Sequence, residues 1–197
     1  FYASQTYNLE AKDRRRILVP WGQINIPGMP FNQMMGLPVE LKLAPTAEGL
    51  RLTAYPIAEV EKLRARAKPI RNLRVSPGES LTQRPPGDLV EMEAEFTPEK
   101  SAEVRFEVRG VTVTYDAAKN EVACLGKRAA LAPVNGKVHL RMLLDRTSLD
   151  IFGNRGAVYM PMGFIPKESE TQIVATTRNG GALFETITFW PLKSAWK

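Results

Sequence analysis

The chain has 197 residues, a net charge of +6, 44% hydrophobic residues and 24% charged residues, a globular composition with room for one domain or two small ones and little for disorder. A single cysteine, Cys124, and a single histidine, His139, exclude an internal disulfide and a cysteine-based zinc site and argue against a His-rich metal centre or a Ser-His-Asp triad; no apolar run approaches the ~20 residues of a membrane-spanning helix. The charge excess lies in residues 1–87, at Arg14-Arg15-Arg16 and between Lys62 and Arg74, and the stretch from Ala58 to Arg74 has no aromatic residue, so it reads as a solvated face or linker rather than a nucleic-acid surface.

The chain opens on Phe1, with no basic segment followed by an apolar one, and the expectation is a piece of a longer protein. FYASQTY and RRILVPW read as strands joined by the polar turn 8–13. A loop rich in Gly, Pro, Asn and Met follows, from Gln23 to Gly36. LPVELKLAP and GLRLTAYP form a second strand pair about the turn Thr46-Ala47-Glu48-Gly49. Residues 1–55 therefore predict four short strands, the size of one propeller blade, with apolar residues on both faces that need neighbours to cover them.

Residues 56–87 read as a connector. Ile57, Val60, Leu63 and Ala67 have helical spacing between Pro56 and Pro69, and SPGESLTQRPPGD reads as a linker. Residues 88–197 are strongly β. Met92, Ala94 and Phe96 alternate with Glu91, Glu93 and Glu95. Val104, Phe106 and Val108 alternate with charged residues, and Val138, Leu140, Met142 and Leu144 share one face. Such period-2 strands have one face in the core and one in water. Turn signals at Lys119-Asn120, Asn135-Gly136, Gly153-Asn154 and Asn179-Gly180-Gly181 separate them. About eight short strands at this spacing predict a β-sandwich, large enough to bury its own core.

No Gly-rich phosphate loop, metal-ligand cluster or Cys/His pair is present, so neither a metal nor another cofactor is expected. A glycosidase would need two carboxylates. Asp145 and Asp150 lie five apart in LDRTSLDIFGN, an odd offset that puts them on opposite sides of a regular strand, and the segment reads as a turn with solvated charges. Glu40 reads as solvated or ion-paired, His139 as a surface residue and Cys124 as a small buried hydrophobe. Phe31, Asn32 and Gln33 suggest more. An aromatic ring beside two amides is how proteins hold sugars, the ring against C–H faces and the amides on hydroxyls; the alternative is a tucked loop with Phe31 as anchor.

FYASQTYN, RRILVPWGQ and MPFNQMMGLPVELKL, in this order, resemble the last propeller blade of glycoside hydrolase family 32, the family of invertases, levanases and inulinases. LRMLLDRTSLDIFGNRGAVYMPMGFIP and ITFWPLKSAW resemble its C-terminal β-sandwich. The resemblance implies an all-β fold, with one blade of a five-bladed β-propeller at 1–55, a linker with a short helix at 56–87 and a jelly-roll or concanavalin-like β-sandwich at 88–197. It implies a parent that cleaves β-fructofuranosyl bonds in sucrose, levan or inulin with retention. The family's Asp nucleophile, stabilising Asp and Glu acid/base belong to motifs like WMNDPNG, RDP and EC. None is in this chain, so the chain alone is expected to be inactive.

Phe31 stands where many relatives have a Trp lining the fructose pocket, so Phe31 and Asn32 are the candidate sugar contacts. Tyr2 and Gln5, in the FYASQT word, are weaker ones. The implied partners are a fructose-containing saccharide and missing N-terminal blades, with an oligomer through an uncovered blade or sandwich face as a further option; nucleic acid and membrane are not expected. The family favours a secreted or periplasmic parent, with a cytoplasmic one as the alternative. The competing reading is a non-catalytic carbohydrate-binding or scaffold module.

Overall fold

Alternating apolar and polar residues produce strands throughout the described part of this computed structural model, which comprises residues 2–7, 14–46, 49–167 and 169–195. The turns expected at 8–13 and 46–49 fall wholly or partly outside those residues. The first unit is one antiparallel sheet built from β1 (Tyr2–Thr6), β2 (Arg16–Gly22), β3 (Met34–Met35), β4 (Val39–Thr46) and β5 (Gly49–Pro56). Its order is β1-β2-β4-β5, with the short β3 beside β2. Ile17, Val19 and Val39 are buried, whereas Leu43, Leu50 and Leu52 stay exposed at the far end of the β4–β5 hairpin, where Leu43 lies opposite Leu52.

The connector differs from its expectation. Ala58–Leu63 is a short 3₁₀ helix of six residues, after which Arg64 is extended (φ −64°, ψ 127°). The residues read as a linker then supply two strands, β6 (Ile70–Val75) and β7 (Ser80–Gln83). In IRNLRV, Leu73 and Val75 share a face that meets the core; the surrounding arginines masked this alternation. The remaining strands are β8 (Val90–Pro98), β9 (Glu103–Val108), β10 (Val111–Asp116), β11 (Glu121–Cys124), β12 (Lys127–Ala130), β13 (Val138–Leu144), β14 (Ser148–Gly153), β15 (Val158–Gly163), β16 (Ile173–Arg178) and β17 (Ala182–Pro191).

These form two six-stranded sheets, β12-β11-β10-β9-β16-β7 and β15-β14-β13-β8-β17-β6, packed as a β-sandwich with β6 and β7 at their edges. Between them sits an aromatic cluster. Phe96 lies 5.4 Å from Phe184, 5.8 Å from Tyr115 and 6.0 Å from Phe106, centroid to centroid. Buried Tyr115 places its one polar atom by donating to the Leu131 carbonyl at 3.2 Å, and burial pushes its phenol up to about 12. The turn signals hold: Asn135 and Gly136 both have positive φ (51° and 78°), which is why Asn-Gly closes the turn between Val134 and Lys137.

The expectation of one wet face fails for the second sheet, because β13 and β14 are buried along both faces. The first unit covers part of that sheet. Val39, Val60, Leu143 and Phe152 form a separate apolar core there, joined by Leu41, Ala54 and Tyr55. Gly156 (φ +93°) packs so closely on β5 that a Cβ would stand 2.5 Å from the Ala54 carbonyl oxygen. Glu91, fully buried, is held between Arg141, whose Nε is 2.6 Å away, and Arg64, whose Nε donates at 2.8 Å. Arg141 also lies over the Tyr55 ring at 5.1 Å and Arg64 over Trp190 at 4.2 Å.

Candidate functional site

The loop between β2 and β3 is held by its own backbone and by one amide. Ile26 N–H donates to Asn32 Oδ1 at 2.9 Å, and Gln33 N–H donates to the Ile24 carbonyl at 3.0 Å with Gln33 at φ +71°. At its exit Gly36 N–H donates to the Pro20 carbonyl at 2.7 Å. Phe31 projects from this frame with 58% of its surface exposed. Asn32, expected to bind a sugar, spends its acceptor on the loop. The neighbouring amide is different: Gln33 Oε1 is buried and has no hydrogen-bond partner among the described residues.

Strand pairing sets the two weaker candidates apart. Tyr2 is opposite Trp21, which is in turn opposite Met35, so the three form one row at the end of β2 where the loop departs. Tyr2 and Met35 are exposed, and the Tyr2 and Trp21 rings are 6.0 Å apart. Gln5 lies farther along, opposite Val19 and beyond a register shift. The pattern thus gathers Tyr2 with the loop and leaves Gln5 aside. Trp21 and Met35, which share this row, were not singled out in the sequence; Trp21 sat in an apolar run that reads equally well as core.

The candidate acid groups are accounted for. Asp145 is exposed and accepts from Arg146 N–H at 2.6 Å within its own turn, as expected. Asp150 corrects the expectation of a solvated charge, because it is buried beneath the loop. Tyr159 OH donates to its Oδ1 at 2.9 Å and Ser148 Oγ to its Oδ2 at 3.4 Å. Burial pushes its carboxyl up to about 6, against the two hydrogen bonds. His139 also corrects its expectation: it is buried, with Nε2 donating to Glu93 Oε1 at 2.7 Å, and that bond holds Glu93 below the usual carboxylate range.

Glu40 pairs with Lys42 at 3.1 Å. Cys124 is buried, and desolvation pushes its thiol up to about 11, which leaves it unreactive. No group of His, Cys, Asp and Glu among the described residues can hold a metal. Among the described residues near the loop the two acids are thus separately engaged, Asp145 within its own turn and Asp150 with Tyr159 and Ser148.

The model for the C-terminal part of glycosyl hydrolases family 32 matches residues 59–191. The chain belongs to glycosyl hydrolase family 32. It is 31% identical to a levanase of Bacillus subtilis (strain 168), aligned over all of this chain and 33% of that protein. It is 34% identical to an acid beta-fructofuranosidase of Vicia faba over 52% of this chain and 16% of the relative. Among solved structures, exo-inulinase from Aspergillus awamori superposes with a TM-score of 0.85 at 19% identity, over all of this chain and 44% of the inulinase. Fructan 1-exohydrolase IIa from Cichorium intybus gives 0.77 at 16% identity, over 99% and 48%. The family 32 chain described here therefore spans about a third of the levanase and less than half of either enzyme structure.

Proposed function

We propose that the chain is the C-terminal part of a retaining β-fructofuranosidase or levanase-type glycosidase acting on sucrose or fructans. The observation that carries this is the family 32 C-terminal match over 59–191, in a chain that spans only a third of its levanase relative. In this reading residues 1–55 are the last blade of a five-bladed propeller, followed by a connector and the sandwich. The blade's uncovered apolar residues on the β4–β5 hairpin, Leu43, Leu50 and Leu52, are where the other blades dock, since a cluster of exposed apolar side chains marks an interaction surface. Phe31, Gln33 and Tyr2 line the approach to the sugar, and Asn32 shapes the loop. Oligomer contacts would use what remains uncovered.

The experiment is direct. The 197-residue chain is incubated with sucrose, levan and inulin beside the same chain extended by its upstream coding sequence. The extended protein should release fructose and the short chain none, because without a nucleophile and an acid no fructosyl-enzyme can form and no leaving group is protonated. Fructose release by the repurified short chain, or none by the extended one, refutes the assignment.

A further inference from the structure

The pairing of β13, β8, β17 and β6 arranges the outer face of their sheet in rows. The first row, Leu143, Glu91 and Trp190, runs under the first unit and the 3₁₀ helix. The second is Arg141, Glu93 and Thr188, and the third is His139, Glu95, Thr186 and Arg71. The cover ends between them: Glu91 has no exposed surface, while Glu93 and Glu95 are partly open. Past that edge lies a groove of about 340 Å³ lined by Arg71, Glu93, Glu95, His139, Thr186 and Trp190, with Arg155 at its end.

Its lining carries the carboxylates of Glu93 and Glu95 and the guanidiniums of Arg71 and Arg155, with Lys137 Nζ 3.2 Å from Glu95 and Arg64 3.7 Å from Glu93, so charges of both signs are interleaved with hydroxyls and an indole. A phosphate or another anion would meet Glu93 and Glu95, and a simple cation would meet Arg71 and Arg155. A polyhydroxylated neutral ligand suits all of them, since each hydroxyl both donates and accepts. His139 supplies an independent sign. It is only 8% exposed and its Nε2 is committed to Glu93, yet Nδ1 has no hydrogen-bond partner among the described residues. A buried polar atom of that kind is costly unless something pairs with it, and a ligand hydroxyl in the groove does so.

We infer that this groove on the sandwich is a second carbohydrate site, separate from the Phe31 loop, and that it takes a segment of a neutral oligosaccharide; naming that oligosaccharide a fructan rests on the proposed function. A fructan bound there would be tethered while another part of it reached the catalytic pocket. His139 is the only histidine in the chain, so its imidazole nitrogen resonances report on this site alone.

The test titrates the ¹⁵N-histidine-labelled chain with an inulin-type fructo-oligosaccharide, a levan-type one and maltohexaose. A fructo-oligosaccharide should shift the Nδ1 resonance. The Arg71→Ala/Thr186→Val variant, with an unchanged melting temperature, should bind it at least tenfold more weakly, and Phe31→Ala should bind it normally. If maltohexaose alone shifts the resonance, the groove is a saccharide site but the fructan assignment falls. If no saccharide moves it at tens of millimolar, or if Phe31→Ala abolishes the shift, the second site is refuted, whatever fructose release by the extended protein shows about the proposed function.

Discussion

Asp150 is buried in the sandwich with Tyr159 and Ser148 as its hydrogen-bond partners and no cation beside it among the described residues, and this makes a signed prediction. Its carboxyl titrates near 6 in the folded chain against about 3.9 in an unfolded one. Because the folded value is the higher, protonation favours folding: the stabilisation is complete below about pH 4 and is lost as the pH rises through 6. At about 1.4 kcal/mol per pH unit the loss approaches 3 kcal/mol by pH 8. Asp150→Asn removes the titration and keeps the shape. The amide oxygen still accepts from Tyr159 OH, and the amide nitrogen can donate to Ser148 Oγ.

Urea unfolding of both proteins from pH 4 to pH 8 is the assay, and the difference between them cancels every other titrating group. The exposed neighbour Asp145, which pushes the Asp150 value further up, is controlled by repeating the pair in an Asp145→Asn background. The Asn variant should match the parent near pH 4 and exceed it by about 3 kcal/mol at pH 8. A difference that does not change with pH would mean that Asp150 titrates as a solvated aspartate, and the burial argument would be wrong.

Glu91→Gln leaves two guanidiniums at the junction without their shared carboxylate and should lower stability by about 3–5 kcal/mol in urea unfolding; a loss under 1 kcal/mol would show that water enters and replaces the pair. Gly156→Ala adds a clash with the Ala54 carbonyl to the strain of φ +93°, whereas Gly78→Ala (φ +91°) meets nothing within 4 Å. The first should cost clearly more than the second, by about 1–3 kcal/mol, and equal losses would remove the close approach of β5 from the account. In the full-length enzyme, Phe31→Ala should lower kcat/KM roughly tenfold to hundredfold at unchanged melting temperature, and a lowered melting temperature with normal kinetics would make Phe31 an anchor. Trp190→Ala, half-buried under Arg64, should do the reverse when sucrose, too short to reach the sandwich groove, is the substrate, with a stability loss below the roughly 3–5 kcal/mol of a fully buried aromatic; kinetics and thermal melting on both variants separate the two roles.

Much of the architecture was legible in the residues. Period-2 alternation in EMEAEF, EVRFEV and KVHLRMLL marked strands, because a strand sends successive side chains to opposite faces whatever lies around it. Asn135-Gly136 marked its turn because few other residues take positive φ twice in succession. The loop from Gln23 to Gly36 stood out by composition, and it does lie between strands β2 and β4, with the short β3 at its end. The strands β6 and β7 escaped notice because arginines, a proline turn and short lengths obscured their alternation, and their strand character comes from pairing with β17 and β16, more than a hundred and about ninety residues away.

Alternation names two faces but cannot say what covers each. Glu91, His139 and Asp150 occupy positions that read as wet, and all three are buried. The first unit and the 3₁₀ helix close over Glu91, Glu93 and Asn154 close around His139, and the loop together with Tyr159 closes over Asp150. Burial depends on a partner surface distant in sequence, and no local pattern encodes it. The same tertiary fact decides which polar atoms are spent. Asn32 and Gln33 are adjacent amides of equal promise in the sequence. Loop geometry turns one oxygen onto Ile26 N–H and leaves the other buried without a partner, because a backbone at φ +71° aims consecutive side chains in directions that residue type does not determine.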